Sequence, residues 1–274
     1  MFGIWMWQTR MHDMIHLQVY VARRTWRKEI YSMEDIRILT AGDSSLLIEF
    51  GHEINPEINR KIKSMVDLMK EQHIEGVLDV IPAFCTLLIN YDPRVTSYAE
   101  ITRRMKKLLK VETSAGSERK KVFEIPVCYG GKYGPDLAFI AEHAGMSEEE
   151  VIALHSSKDY LIYMLGFLPG FCYLGGLDER LHTPRLATPR IKIETGSGGI
   201  GGSQTGIYPM DSPGGWQLMG MTPVKTYDPE REVPILYEAG DYIRFVPVDE
   251  DEYLRIKEQV ARGEYECTIR EGEV

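Results

Sequence analysis

Thirteen of the chain's 25 glycines fall between Gly166 and Gly220, interleaved with Pro169, Pro184, Pro189, Pro209 and Pro213. Glycine and proline at that density do not sustain helices, because glycine loses much backbone entropy on ordering and proline removes a hydrogen-bond donor. Short apolar runs between such breaks instead predict a β-barrel or sandwich. The strand candidates are Tyr160–Gly166, Ile191–Ile193, Gly206–Tyr208, Trp216–Met219, Ile235–Leu236 and Tyr242–Val248, followed by a helix over Asp249–Gln259.

The preceding stretch follows other rules. Asp35–Leu39 and Ser45–Phe50 read as strands around a turn at Ala41-Gly42-Asp43, and Val77–Ile81 and Cys85–Tyr91 as a second pair. Asn55-Pro56 opens a helix striped by Ile58, Ile62, Met65, Val66 and Met69. Ser97 and Glu100 have capping-box spacing ahead of a helix over Tyr98–Lys110, and a strand follows at Lys121–Val127. Two short helices are expected next, Asp136–His143 and a Ser147-capped one ending near His155. These patterns predict an α+β chain. A ferredoxin-like helix-on-sheet domain occupies 33–125 and a β-barrel domain 126–274. Residues 1–32 read as an upstream extension of unknown role before Met33. Their cluster Arg23, Arg24, Arg27 and Lys28 follows the apolar stretch, the reverse of a secretory signal, and Gln8, Asp13 and Gln18 interrupt any membrane-surface face.

Charge narrows the function classes. With 32 Lys+Arg against 41 Asp+Glu the formal charge is −9, a poor match to nucleic acid or anionic membrane. No apolar run approaches the roughly 20 residues of a transmembrane helix. The cysteines, Cys85, Cys128, Cys172 and Cys267, stand far apart, which fits free thiols in a cytoplasmic protein and no metal site.

The motifs exclude more than they assign. Gly196-Ser197-Gly198-Gly199-Ile200-Gly201 satisfies G-x-G-x-x-G, but Gly202-Ser203-Gln204-Thr205-Gly206 cannot form the helix a dinucleotide site needs. That leaves a backbone anion nest or a structural bulge. No P-loop occurs, and Thr205 stands where a nucleophile elbow requires glycine. His155 is either a helix-terminal histidine or a general base. Arg185 and Arg190, each behind a proline, suit carboxylate or phosphate recognition, with surface ion pairing as the plainer reading. Phe167, Phe171, Tyr173, Tyr208 and Trp216 could line a pocket or fill a small barrel.

One set of segments is far more specific. It comprises Gly166-Phe167-Leu168-Pro169-Gly170-Phe171-Cys172-Tyr173-Leu174-Gly175-Gly176-Leu177-Asp178, Thr188-Pro189-Arg190, Gly202-Ser203-Gln204-Thr205-Gly206-Ile207-Tyr208-Pro209 and Ser212-Pro213-Gly214-Gly215-Trp216-Gln217-Leu218. Together they resemble the family that holds the 5-oxoprolinase B subunit, the inhibitor of the sporulation histidine kinase, and allophanate hydrolase subunit 1. The likeness spans everything from Met33 onward, although Leu186 stands where the family often has a second arginine. It implies a cyclophilin-like barrel behind the N-terminal α+β domain. It also implies a B subunit of an ATP-dependent 5-oxoprolinase, working with A and carboxyltransferase-like C subunits to hydrolyse 5-oxo-L-proline to L-glutamate. ATP would act at the level of the complex. The alternatives are a regulator that inhibits a sensor histidine kinase, or a part of an allophanate hydrolase or urea carboxylase system. The expected site has His155 as catalytic residue, Arg185 and Arg190 on an anion, Gln204 and Thr205 on the amide, and walls of Phe167, Phe171, Tyr208 and Trp216.

Overall fold

Alternation builds the first layer of the computed structural model, which describes residues 36–111 and 120–272. Strands β1 (Arg37–Thr40), β2 (Ser45–Glu49), β3 (Val77–Pro82) and β4 (Thr86–Tyr91) form an antiparallel sheet in the order β1-β2-β4-β3. Every second residue of β2 and β4 points inward, so Leu46, Ile48, Leu87 and Ile89 are fully buried. They meet the apolar stripes of α1 (Pro56–Gln72) and α2 (Tyr98–Leu108), through Ile58, Ile62, Met65, Ile101 and Met105. Asn55 caps α1 by accepting from the Glu57 amide at 2.7 Å, and Ser97 caps α2 from the Glu100 amide at 3.2 Å. The Glu100 carboxylate is bonded to Arg103 and Arg104.

The second unit is one sheet of eight strands. They are β5 (Lys120–Tyr129), β6 (Tyr160–Leu165), β7 (Cys172–Gly175), β9 (Ser197–Gly201), β10 (Gln204–Ile207), β12 (Gln217–Met221), β13 (Tyr242–Val248) and β14 (Ile269–Gly272). The order β10-β9-β12-β5-β13-β6-β7 brings its first and last strands side by side, an almost closed barrel, and β14 adds to β5. A small ribbon, β8 (Arg190–Ile193) with β11 (Ser212–Gly214), lies outside it. Helices α3 (Leu137–Ala144) and α4 (Glu148–His155) connect β5 to β6, and α5 (Glu250–Arg262) follows β13. The expected boundary at 125/126 falls inside β5, whose Val122, Phe123 and Ile125 are already buried in the barrel.

The glycine-rich half holds the differences from expectation. Ile235–Leu236 makes only an isolated bridge, Ile235 to Tyr227. Strand β9 stands where a nest or bulge was expected, paired on both sides, and the irregularity lies opposite it in β12 between Leu218 and Gly220. Close approach is what selects glycine here. A Cβ on Gly199 would sit 2.4 Å from the Gln217 carbonyl oxygen, and one on Gly201 would sit 2.2 Å from the Trp216 ring.

The two units touch through buried groups. Asn59 of α1 donates to the Tyr163 carbonyl of β6 at 2.8 Å.

Candidate functional site

The loop between β6 and β7 makes the strongest local demand on the backbone. Phe167 is held in the left-handed region at φ 69°, an uncommon conformation for a bulky residue and one that clusters at functional positions. Gly170 at φ 77° has Tyr227 pressed against it, so a Cβ there would lie 2.8 Å from the Tyr227 Cβ. Hydrogen bonds from the Leu168 amide to Gly166 and from the Phe171 amide to Leu168 tighten the turn. Phe167 is thereby displayed, 47% exposed, while Phe171 is turned inward.

Phe171, Tyr208 and Trp216 are a packed cluster and do not wall an open pocket. Their rings meet edge to face at 5.6–5.7 Å and sit with Ile193 and Leu218, all buried. Burial pushes the Tyr208 hydroxyl up to about 12.

His155 is likewise inside. Thr205 Oγ1 donates its only proton to Gly199 O at 3.0 Å, so His155 Nε2 donates to Thr205 at 2.7 Å. Nδ1 then accepts from the Tyr129 hydroxyl at 2.8 Å, and the imidazole stacks on Phe245 at 4.4 Å. Burial lowers its pKa to about 3. With both nitrogens engaged and the ring 2% exposed, the general-base role expected of His155 has no geometry to work in. Thr205, fully buried, is part of this core network and holds no amide of a ligand.

Arg190 corrects another expectation. Its guanidinium clasps Asp136 in two bonds of 2.7 and 2.8 Å and donates to Trp216 O at 3.1 Å. Asp136 Oδ2 also accepts from the Leu218 amide at 2.6 Å. The anion that Arg190 recognises is this chain's own, and the clasp pins the start of α3 to β12. Asp136 reads in the sequence only as the first residue of a short helix, and nothing there pairs it with an arginine 54 positions on.

Arg185 alone of the two reaches outward. It is exposed, lies 5.9 Å over the Trp216 ring, and donates to Gln204 Oε1 at 3.3 Å. With Oε1 taken by Arg185, the NH2 is the donor end of the Gln204 amide. Tyr173 stands half-buried beside Phe171 at 5.3 Å; burial raises its hydroxyl, and the Arg185 charge pulls it back. The rim that survives is Phe167, Tyr173, Arg185 and Gln204: one cation, one amide donor and two aromatic faces. Such a set suits a small planar ligand with a carboxylate and an amide. Among the described residues no cluster of His, Cys, Asp and Glu could hold a metal ion, and no helix is long and apolar enough to cross a membrane.

Against known proteins, the profile of the carboxyltransferase domain, subdomains C and D, matches residues 36–237. The chain belongs to this family. Among the family's curated members it is 40% identical to the 5-oxoprolinase B subunit of Bacillus subtilis (strain 168) over 228 residues, which cover 80% of this chain and 95% of that one. The corresponding B subunit of Escherichia coli O157:H7 is 39% identical over 218 residues, 80% of this chain and 99% of that one. The crystal structure of K. lactis urea amidolyase contains the same fold, with a TM-score of 0.72 over 86% of this chain and 16% of that much longer one, at 21% identity. The family membership fits the specific segments at 166–178 and 202–218, which form the rim loop, the β9–β10 turn and the Trp216 cluster.

Proposed function

We propose that this chain is the B subunit of an ATP-dependent 5-oxoprolinase, which hydrolyses 5-oxo-L-proline to L-glutamate together with A and C subunits. The supporting observation is the co-extensive 40% identity to a curated B subunit, over 95% of that protein's length. An unstrained lactam resists attack through amide resonance, and ATP supplies the activation at the level of the complex. On this chain the β9 strand that carries Gly198, Gly199 and Gly201 is paired on both sides, and Arg190 is bonded to Asp136. The part assigned to this chain is recognition. Arg185 would pair with the substrate carboxylate, Gln204 would donate to the lactam oxygen, and Phe167 and Tyr173 would flank the ring. His155, Thr205, Arg190, Phe171, Tyr208 and Trp216 then support that rim from beneath.

The same proposal carries the finer architecture: a ferredoxin-like layer, a cyclophilin-like barrel beginning with β5, and a cytoplasmic, hetero-oligomeric setting. The test is reconstitution with the presumed A and C subunits, measuring glutamate formation from 5-oxo-L-proline with and without this chain. Dependence on the chain is expected, and Arg185→Ala should weaken substrate use about 10- to 100-fold, the scale of a charge-assisted contact. Full activity without the chain, or inhibition of a sensor histidine kinase in place of lactam hydrolysis, overturns it.

A further inference from the structure

The turn between β3 and β4 is Ala83-Phe84-Cys85, closed by a bond from the Ala83 amide to Thr86 O at 2.8 Å. Cys85 packs against the core of its own layer, but Phe84 leaves it. Its ring lies 5.4 Å from that of Tyr163 and 5.9 Å from that of Tyr173, the second contact edge-on at 81°. Both partners belong to the barrel. Tyr163 is fixed twice, by the bond its carbonyl accepts from Asn59 and by Gly175, where a Cβ would fall 2.0 Å from the Tyr163 ring. Phe84 therefore rests on a rigid base and presses one side of Tyr173. From Tyr173 the rings continue to Phe171 at 5.3 Å, and from Phe171 to Phe167 at 5.4 Å and Trp216 at 5.6 Å, the ring beneath Arg185.

We infer that Phe84 is a positioning residue for the ligand rim, so that the N-terminal layer helps set the substrate affinity of a site built on the barrel. The inference rests on the 5-oxoprolinase reading and adds to it a residue from the other unit. The physical reason is rotamer control. Tyr173 is only half-buried, with Phe171 as its other ring neighbour, so removing Phe84 opens space into which the phenol can swing. A rim aromatic that samples several positions costs binding, with no loss of the groups that react.

The experiment uses the reconstituted complex with 5-oxo-L-proline as the varied substrate, comparing wild type, Phe84→Ala, Phe84→Tyr and Arg185→Ala, each with a thermal melt. Phe84→Ala is expected to raise KM about fivefold, the scale of one edge-to-face contact, with kcat within about twofold and the melt near wild type. Phe84→Tyr, which keeps the ring, restores KM. A purely structural residue would move the melt without this split. An unchanged KM in Phe84→Ala beside a raised one in Arg185→Ala overturns the positioning role and leaves the rim standing. Unchanged KM in both removes the rim from this chain, and the inference falls with it. A fall in kcat with KM unchanged also overturns it. If Phe84→Ala lowers the melt, Phe84→Leu decides, because it keeps apolar volume without the ring: raised KM supports the inference and wild-type KM overturns it.

Discussion

The N-terminal layer and the barrel are stabilised by opposite uses of side-chain size. In the layer, large residues at regular spacing supply the core, and Leu46, Ile48, Leu87 and Ile89 face Ile62, Ile101 and Met105 with nothing more specific than alternation and helical period. In the barrel, the decisive positions are empty ones. Gly199, Gly201 and Gly220 let strands and the Trp216 ring approach to distances a methyl group forbids. The lesson is that one glycine-rich tract can be the most constrained part of a molecule. Its strand glycines Gly199, Gly201 and Gly220 are selected by contact, where turn glycines such as Gly42, and Gly176 and Gly202 within the tract, are selected by backbone angle.

The sharpest way to break that comparison is a methyl group in each unit. Gly199→Ala would place a Cβ 2.4 Å from a backbone oxygen that cannot step aside, and should cost about 3 kcal/mol in urea unfolding. Gly42→Ala meets nothing within 4 Å and should cost only the left-handed strain, about 1 kcal/mol. Equal losses would mean that contact does not distinguish the two classes of glycine.

Arg190→Ala is next in size. It strands a carboxylate that is 14% exposed and still bonded to the Leu218 amide, which should cost about 2 kcal/mol after allowing for the partial exposure of the pair. Substrate KM in the reconstituted complex should stay near wild type, with any loss of folded protein lowering only the maximal rate. A selective loss of binding in a protein of normal stability would put Arg190 back among the ligand contacts.

His155 gives a pH signature confined to the barrel. Its pKa is about 3 when folded and near its ordinary 6.5 when unfolded, so the unfolded chain takes up the proton first. The stability from the neutral ring is therefore complete above pH 6.5 and drains as pH falls toward 3, by at most about 1.4 kcal/mol per pH unit. Chemical denaturation of wild type between about pH 6.5 and 4.5 should show this slope, and His155→Gln should flatten it. Identical slopes would place the imidazole in water.

The smallest stability effect belongs to Arg185→Ala. The side chain is exposed with one long hydrogen bond, so the melt should stay within about 1 °C even as substrate use falls. A large drop would make Arg185 a second structural clasp like Arg190.

Much of this protein is written in its sequence. Cap residues and stripes located α1 and α2, alternation located β2 and β4, and the segments at 166–178 and 202–218 pointed to the family. The strands β7 and β9 were not legible, because Cys172–Gly175 is only four residues without a β-branched side chain, and Ser197–Gly201 is three-fifths glycine with Ile200 as its one β-branched residue. Nor was the division of labour among the polar residues. Proline-flanked Arg185 and Arg190 look alike in one dimension, yet only folding brings Asp136 to the second and leaves the first in solvent. His155 ends a helix in the sequence, and only barrel closure sets it between Tyr129 and Thr205, out of reach of water. Local pattern fixes which segments order and which face is apolar, since those depend on neighbours about three or four residues away. Which polar group is spent on the protein and which is left for a ligand depends on partners as far off as the 54 positions between Asp136 and Arg190, and that only the tertiary structure decided.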